Sequence, residues 1–321
     1  MFKEKVSKYL SKHPLLKALL TILFKKPHPI FVRYPMSQLS REPLVCFVPP
    51  EIHPIFLDYP VNPQPRYGYH DPPHPKLYEI INKNRSVYAD YLTDFLKYKD
   101  YFIQIPKVET DTPSTVPAWV NGWLPGLDAV SLYALLCLNN PKQYLEIGSG
   151  YSTKFARRAI TDHRLRTKIT SIDPHPRAEI DSICDDVIRR PIEDVDLAMF
   201  DTLEAGDILF VDHSHRVFTN SDATVVFLDI LPKLKQGVFV ELHDIFLPFD
   251  YPPEWEGRYY SEQYLLASYL LAEGSKFDVV LANAFISNDS ELNSIMAPLW
   301  EELKMDPVGR RGASFWIKIK S

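Results

Sequence analysis

The chain has 321 residues, of which 45% are hydrophobic and 24% charged, and a formal net charge of −5. This is an ordinary composition for a globular protein, long enough for one large domain or one domain with a substantial extension. The acidic balance gives no reason to expect nucleic acid as a partner. Cys46, Cys137 and Cys184 are too few and too scattered for a disulfide framework or a cysteine zinc site, which suits a reducing cytoplasm.

The first segment, residues 1–26, is basic. It carries Lys3, Lys5, Lys8, Lys12, Lys17, Lys25 and Lys26 against the single Glu4. Its apolar stretch from Leu15 to Phe24 is shorter than the ~20 residues a bilayer span needs, and no small-residue cleavage site follows. An amphipathic helix is expected. It either docks on its own protein or lies on an anionic membrane surface as a peripheral contact.

Residues 27–120 form a second segment, rich in proline and aromatic residues. Seventeen of the 28 prolines precede residue 120, but only one of the 11 glycines does, Gly68. Such a run excludes long helices up to about residue 75. Its Phe, Tyr and Ile content predicts an extension that wraps a core. Over 76–98, Leu77, Ile80, Ile81, Val87, Tyr88, Tyr91, Leu92, Phe95 and Leu96 fall near helical spacing and predict one amphipathic helix. A loop with Trp119 and Trp123 follows, read equally as core aromatics or as a lid.

The third segment, 121–321, opens with a helix from about Leu127 to Leu138 and then alternates. "QYLEIGS", "KITSIDP", "DVIRRP", "DILFVDHSH", "GVFVELHDI", "FDVVLA" and "ASFWIKIK" read as strands. "TKFARRAITDH", "AEIDSIC", "SDATVVFLDILPKLK", "SEQYLLASYLLAEG" and "ELNSIMAPLWEELK" read as helices, with Ser261 as an N-cap and Gly274 as a terminator. Strands alternating with helices predict an α/β fold: a mostly parallel sheet with helices on both faces. Ligands of such sheets bind beyond the carboxyl ends of the strands. The acids and histidines of these strands lie at those ends.

"YLEIGSGYSTKF" is a strand, a glycine turn and a helix start, a general nucleotide cradle. No lysine follows Gly150, against a P-loop. Thr153 stands where a dinucleotide fingerprint has its third glycine, against NAD. S-adenosylmethionine fits better. Glu146 can face its positive methionyl end, the amides of Gly148, Ser149 and Gly150 can serve its carboxylate, and Asp173 can accept both ribose hydroxyls.

These stretches, with "ITSIDPHPRAEID", "GDILFVDHSHRVFTNSDATVVFLDILPKLKQGVFVELHDIFLP" and "YSEQYLLASYLL", resemble a class I S-adenosylmethionine-dependent methyltransferase of the bacterial O-methyltransferase-like branch. The resemblance covers about residues 120–321. It implies a Rossmann-like seven-stranded sheet whose last strand, "ASFWIKIK", runs antiparallel and inserts before the sixth. Ser152 stands at a position where the family often has a small residue. The resemblance places adenine contacts after the third strand, where Ile192 can pack on the ring and Asp194 or Glu193 can receive the exocyclic amine.

In metal-dependent members of that branch, acids after the fourth and fifth strands hold Mg²⁺, which acidifies the acceptor hydroxyl. Asp212 and Asp244 match, with His243 at a ligand position, and such a mixed set favours Mn, Fe or Zn. The metal-free alternative makes His213, His215 or His243 the general base, held by Asp212 or Asp244. The loop 250–260 is placed to shape an acceptor pocket. The expected function is transfer of a methyl group from S-adenosylmethionine to a small hydroxylated acceptor such as a sugar or natural product. The alternatives are a nicotinamide-dependent oxidoreductase and a non-enzymatic binding module.

Overall fold

Short apolar runs bounded by glycine, proline or aspartate pair into sheets. The computed structural model describes residues 28–31, 45–48, 61–109, 114–272, 276–306 and 309–320, in two units, Met1–Asn62 and Pro63–Ser321. In the first unit, β1 (His28–Phe31) and β2 (Val45–Val48) pair antiparallel, with His28 opposite Val48. The basic helix expected over residues 1–26, and with it the membrane contact, lies outside the described residues. So does most of the proline-rich stretch up to residue 60. Among the described residues, no helix is long and apolar enough to cross a membrane.

The second unit is built on β3 (Gln143–Ile147), β4 (Lys168–Ile172), β5 (Asp186–Ile188), β6 (Ile208–Val211), β7 (Phe239–Leu242), β8 (Phe277–Ala282) and β9 (Phe315–Ile319). Their order is β5-β4-β3-β6-β7-β9-β8. Neighbours from β5 to β7 are parallel, and β9 runs antiparallel to both β7 and β8. This is the expected seven-stranded Rossmann-like sheet. Every residue of β6 and β7 is buried, as a strand covered on both faces requires, so neither shows apolar–polar alternation. β3 pairs with β4 on one side and β6 on the other. That reversal of direction leaves a crevice beyond its carboxyl end.

Residues 63–120, grouped by sequence with the N-terminal extension, belong to this second unit. The single helix expected over 76–98 is two, α1 (Pro75–Asn82) and α2 (Arg85–Phe95). The break is held from afar: the Asn84 side chain donates from Nδ2 to the Val279 carbonyl (3.0 Å), and Arg85 grips Asp289 and Glu291. Upstream, Asp250 accepts the Arg66 and Tyr67 amides at 2.6 and 3.1 Å. This pins the start of the unit onto the loop after β7.

α3 (Gly126–Asn139) is buried at every residue from Gly126 to Leu136, which makes it a central helix covered on all sides, its Asp128 and Ser131 included. α4 (Tyr151–His163) follows the glycine turn and ends at Arg164 in the left-handed conformation. The helix expected over 221–235 is only a single α-turn, Asp222–Val225. It passes into a π-turn (Val226–Ile230) and then a 3₁₀ turn around Pro232, which cannot donate to the helical ladder. α5 (Glu262–Leu271) begins where expected. A short helix at Asn283–Asn288, directly after β8, was not read from sequence.

Candidate functional site

The glycine turn is built around a close backbone crossing. Gly148 has φ +78°, and a Cβ there would stand 1.6 Å from the Asp212 carbonyl oxygen. Its amide donates to the Ile172 carbonyl (3.0 Å), and the Asp212 amide donates to the Ile147 carbonyl (2.8 Å). The tips of β3, β4 and β6 are thereby tied at one residue that must be glycine. At Gly150 the opposite holds: nothing lies within 4 Å of where its Cβ would be. Space is open beside the first turn of α4, where backbone amides lack intrahelical partners.

Glu146 lies behind this turn, fully buried. Its carboxylate accepts from the Tyr144 hydroxyl (2.8 Å) and from the Thr153 hydroxyl, and Thr153 Oγ1 accepts the Gly150 amide (3.1 Å). Glu146 thus shapes the turn through Thr153. Burial pushes its carboxyl up to about 7, against the opposing pull of the Ser152, Thr153 and Tyr144 hydroxyls. An acid whose pKa is raised in the folded state favours the protonated form. The stability it contributes is therefore complete below its unfolded value of about 4.3 and is lost as pH rises through about 7. Glu146→Gln is expected to flatten that decline by roughly 2–3 kcal/mol between pH 5 and 7.5. Urea unfolding at each pH reads this out, and an unchanged slope would contradict it.

Asp173, at the end of β4, accepts the Ser149 amide on Oδ2 (2.8 Å) and the His175 amide on Oδ1 (2.7 Å). Beside it opens a cavity of about 320 Å³, lined by Gly148, Ser149, Asp173, Ile192, Glu193, Asp212 and Asp222 among others. Ile192 is 3% exposed. Of the two acids offered for the adenine amine, Glu193 lines this cavity, whereas Asp194 is exposed and does not. Glu193 Oε2 is buried and has no hydrogen-bond partner among the described residues. Ser152 lies in a smaller adjoining recess with Gly150, Trp123 and Arg177. The two tryptophans divide. Trp119 is core, its indole donating to the Phe102 carbonyl (3.2 Å), while Trp123 is 54% exposed, with the Arg177 guanidinium 4.6 Å from its ring.

The ends of β6 and β7 carry the acid–histidine cluster. Asp212 Oδ1 and Asp244 Oδ2 stand 3.2 and 3.5 Å from His215 Nε2, while His215 Nδ1 is bonded to Glu262. His213 Nε2 is 3.2 Å from the other oxygen of Glu262. His215 and Asp244 both hold left-handed backbones, φ 63° and 56°. Such conformations are uncommon outside glycine and are found where surrounding structure enforces them.

His243 is turned elsewhere. Its Nδ1 lies 3.3 Å from both Glu241 Oε1 and Ser314 Oγ, and its Nε2 is 3.8 Å from Asp244 Oδ1. The expected metal set of Asp212, His243 and Asp244 is therefore differently composed in space. The atoms that converge, within 4.8 Å of one another, belong to Asp212, His215 and Asp244. One imidazole nitrogen and two carboxylates, partly to fully buried, fit a divalent ion such as Mn, Fe or Zn.

The electrostatics follow from this packing. Burial works against charge on Asp212, but His243 and His215 hold its carboxyl well below the usual range. Burial raises the Asp244 carboxyl, with the same two imidazoles opposing. Burial also disfavours imidazolium at His215, yet Glu262, Asp212 and Asp244 raise it well above its ordinary value.

Aromatic side chains cover the cluster on one side. The Tyr260 ring lies 4.5 Å from that of His215, and Arg258 stacks on Trp255 at 3.9 Å. The loop over 250–260 therefore reaches the cluster. Glu262 and Glu241 escaped sequence reasoning. Glu262 opens a helix after a serine and reads as a dipole-compensating surface acid, yet it is 1% exposed. Glu241 lies inside an apolar strand, where only its fold neighbours give it a role.

Residues 145–245 match the methyltransferase-domain family. An uncharacterized protein of Archaeoglobus fulgidus is 32% identical over 137 residues, which is 40% of this chain. The chain spans about 60% of that relative's length. Among solved structures, an SAH-bound methyltransferase of Podospora anserina aligns over 74% of this chain and 95% of its own, at 16% identity and TM-score 0.37. An O-methyltransferase of Bacillus cereus in complex with SAH aligns over 72% and 91%, at 14% identity and TM-score 0.32. The family match falls on the stretch from the glycine turn to the second acid of the cluster, within a sheet ordered β5-β4-β3-β6-β7-β9-β8. Residues 145–245 therefore match a methyltransferase domain, set in a seven-stranded Rossmann-like sheet.

Proposed function

We propose that the chain binds S-adenosylmethionine in the cavity beyond β3 and β4 and transfers its methyl group to a hydroxyl of a small acceptor. One observation carries this reading. Asp173, the glycine turn and Glu193 line a single cavity of about 320 Å³, and Glu193 Oε2 is buried with no hydrogen-bond partner among the described residues. In this reading Asp173 accepts the ribose hydroxyls, Ile192 packs on adenine and Glu193 accepts its exocyclic amine. Ser152 and the amides around Gly150 face the methionyl end. Without a ligand, Glu193 Oε2 is a buried acceptor left unmade, which is costly unless a ligand completes it.

Methyl transfer is an in-line displacement, so the protein's task is to align two reactants and manage one proton. A divalent cation held by Asp212, His215 and Asp244 would supply Lewis-acid activation of the acceptor hydroxyl. The chain's own groups do the rest. In the metal-free alternative, Asp244, raised by burial, is the more basic carboxylate of the pair and the one suited to take the acceptor proton. Asp212, held low, keeps its negative charge. The loop bearing Trp255 and Tyr260 keeps water from the cluster. Free thiols at Cys137 and Cys184 suit a reducing, cytoplasmic setting.

Methyl-labelled S-adenosylmethionine incubated with a panel of sugars and phenols, with EDTA or with added Mn²⁺, tests the reading. Label should appear as a methyl ether. Label found only on amines would defeat the O-methylation assignment, and no binding of the cofactor at millimolar concentration would defeat the whole reading. Glu193→Ala is expected to weaken cofactor binding about tenfold, the worth of one hydrogen bond to a charged group. Calorimetry that gave an unchanged affinity would remove the adenine assignment.

A further inference from the structure

The first turn of α5 contacts the cluster at three places. The amides of Ser261 and Glu262 both donate to the His215 carbonyl (2.8 and 3.3 Å). The Ser261 hydroxyl does not cap its own helix but accepts the Val217 amide (2.9 Å). The two backbone bonds hold His215 in its left-handed conformation. The Glu262 carboxylate then engages the imidazoles of both His213 and His215.

The direction of each bond can be assigned in sequence. The His215 amide donates to His213 Nδ1 (3.2 Å), so that nitrogen carries the lone pair and Nε2 carries the hydrogen. His213 Nε2 is buried and stands 3.2 Å from Glu262 Oε2, close enough for charge attraction but without hydrogen-bond geometry, and has no hydrogen-bond partner among the described residues. Glu262 Oε1 faces His215 Nδ1. A carboxylate only accepts, so His215 Nδ1 carries a hydrogen as well. That leaves His215 Nε2 as the atom turned to Asp212 and Asp244.

From these contacts we propose that Glu262 is a positioning residue of the reaction centre: anchored by its helix turn on the His215 carbonyl, it fixes the ring orientation and tautomer of His215 so that Nε2 is presented between Asp212 and Asp244. The activity part of this proposal rests on the methyltransferase reading, but the tautomer part does not. A carboxylate behind an imidazole is a common way to aim the far ring nitrogen at a metal or substrate. Here the carboxylate comes from a helix 47 residues further along the chain.

Long-range ¹⁵N–¹H spectra of the histidine rings in the full chain test it. Wild-type His215 should show a protonated, hydrogen-bonded Nδ1, and an unprotonated Nδ1 would overturn the proposal without any variant. Glu262→Gln should shift the His215 ring signals and lower kcat about ten- to a hundredfold, with S-adenosylmethionine affinity unchanged by calorimetry. Unaltered ring signals and kcat in that variant would also overturn it. Ser261→Ala serves as the control: it removes only the bond to the Val217 amide, so it should lower Tm while leaving the His215 ring signals in place. If it shifts them as Glu262→Gln does, general loosening explains both and the proposal fails. Should wild type bind no S-adenosylmethionine, the methyltransferase reading fails, and the ring spectrum still decides the role of Glu262.

Discussion

Gly148→Ala is expected to abolish cofactor binding and to cost the domain at least about 3 kcal/mol of stability, the scale of the severest single substitutions. Two effects coincide at this residue. Its φ of +78° is strained for any L side chain, and the added methyl would lie 1.6 Å from the Asp212 carbonyl oxygen, a backbone atom at the tip of the next strand. Relief requires β3 and β6 to part, and their tips carry the Gly148-to-Ile172 and Asp212-to-Ile147 bonds. Thermal unfolding and calorimetric titration with S-adenosylmethionine check both effects. A variant that melts within a degree or two of wild type would mean that the crossing is looser than described. Gly150→Ala is the internal comparison: with nothing near its would-be Cβ, it should fold normally and lose only ligand affinity.

Asp173→Asn is expected to weaken S-adenosylmethionine binding roughly a hundredfold while leaving the sheet intact. Both carboxylate oxygens already accept amides, from Ser149 and from His175. An asparagine can offer only one accepting oxygen, so one of these amides would face an NH₂ group. The turn would lose part of its definition as the ribose loses a charged acceptor, and each hydrogen bond to a charged group is worth about 1.5–3 kcal/mol. Calorimetry on folded protein measures the loss. Affinity within threefold of wild type would take the ribose away from Asp173.

β3, β4, β6 and β7 were readable because each is a compact, mostly apolar run leading into glycine, aspartate or histidine, and the ends are where chemistry collects in such sheets. Gly148, Asp173 and Asp212 follow from that rule alone. What could not be read depends on partners distant in sequence. The break between α1 and α2 carries no proline or glycine, and its Asn84 side chain finds the Val279 carbonyl, 195 residues away.

His243 and His215 look equivalent in sequence, each near the end of a strand. Glu241 and His243 are two residues apart, and the extended chain turns them to the same face, where His243 meets Glu241 and Ser314. The left-handed residue Asp244 re-aims its own carboxylate toward His215 instead. Between Glu193 and Asp194, nothing in the sequence decides. The 3₁₀ turn Ile192–Asp194 puts one on the cavity wall and the other in solvent.

Crystals of the full chain soaked with S-adenosylhomocysteine test the central claim most directly. The adenosine should lie in the cavity between the Gly148 turn and Ile192, with its ribose hydroxyls on Asp173 and its amino group on Glu193. A cavity still empty at millimolar ligand, or a nucleoside bound away from the tips of β3 and β4, would contradict it.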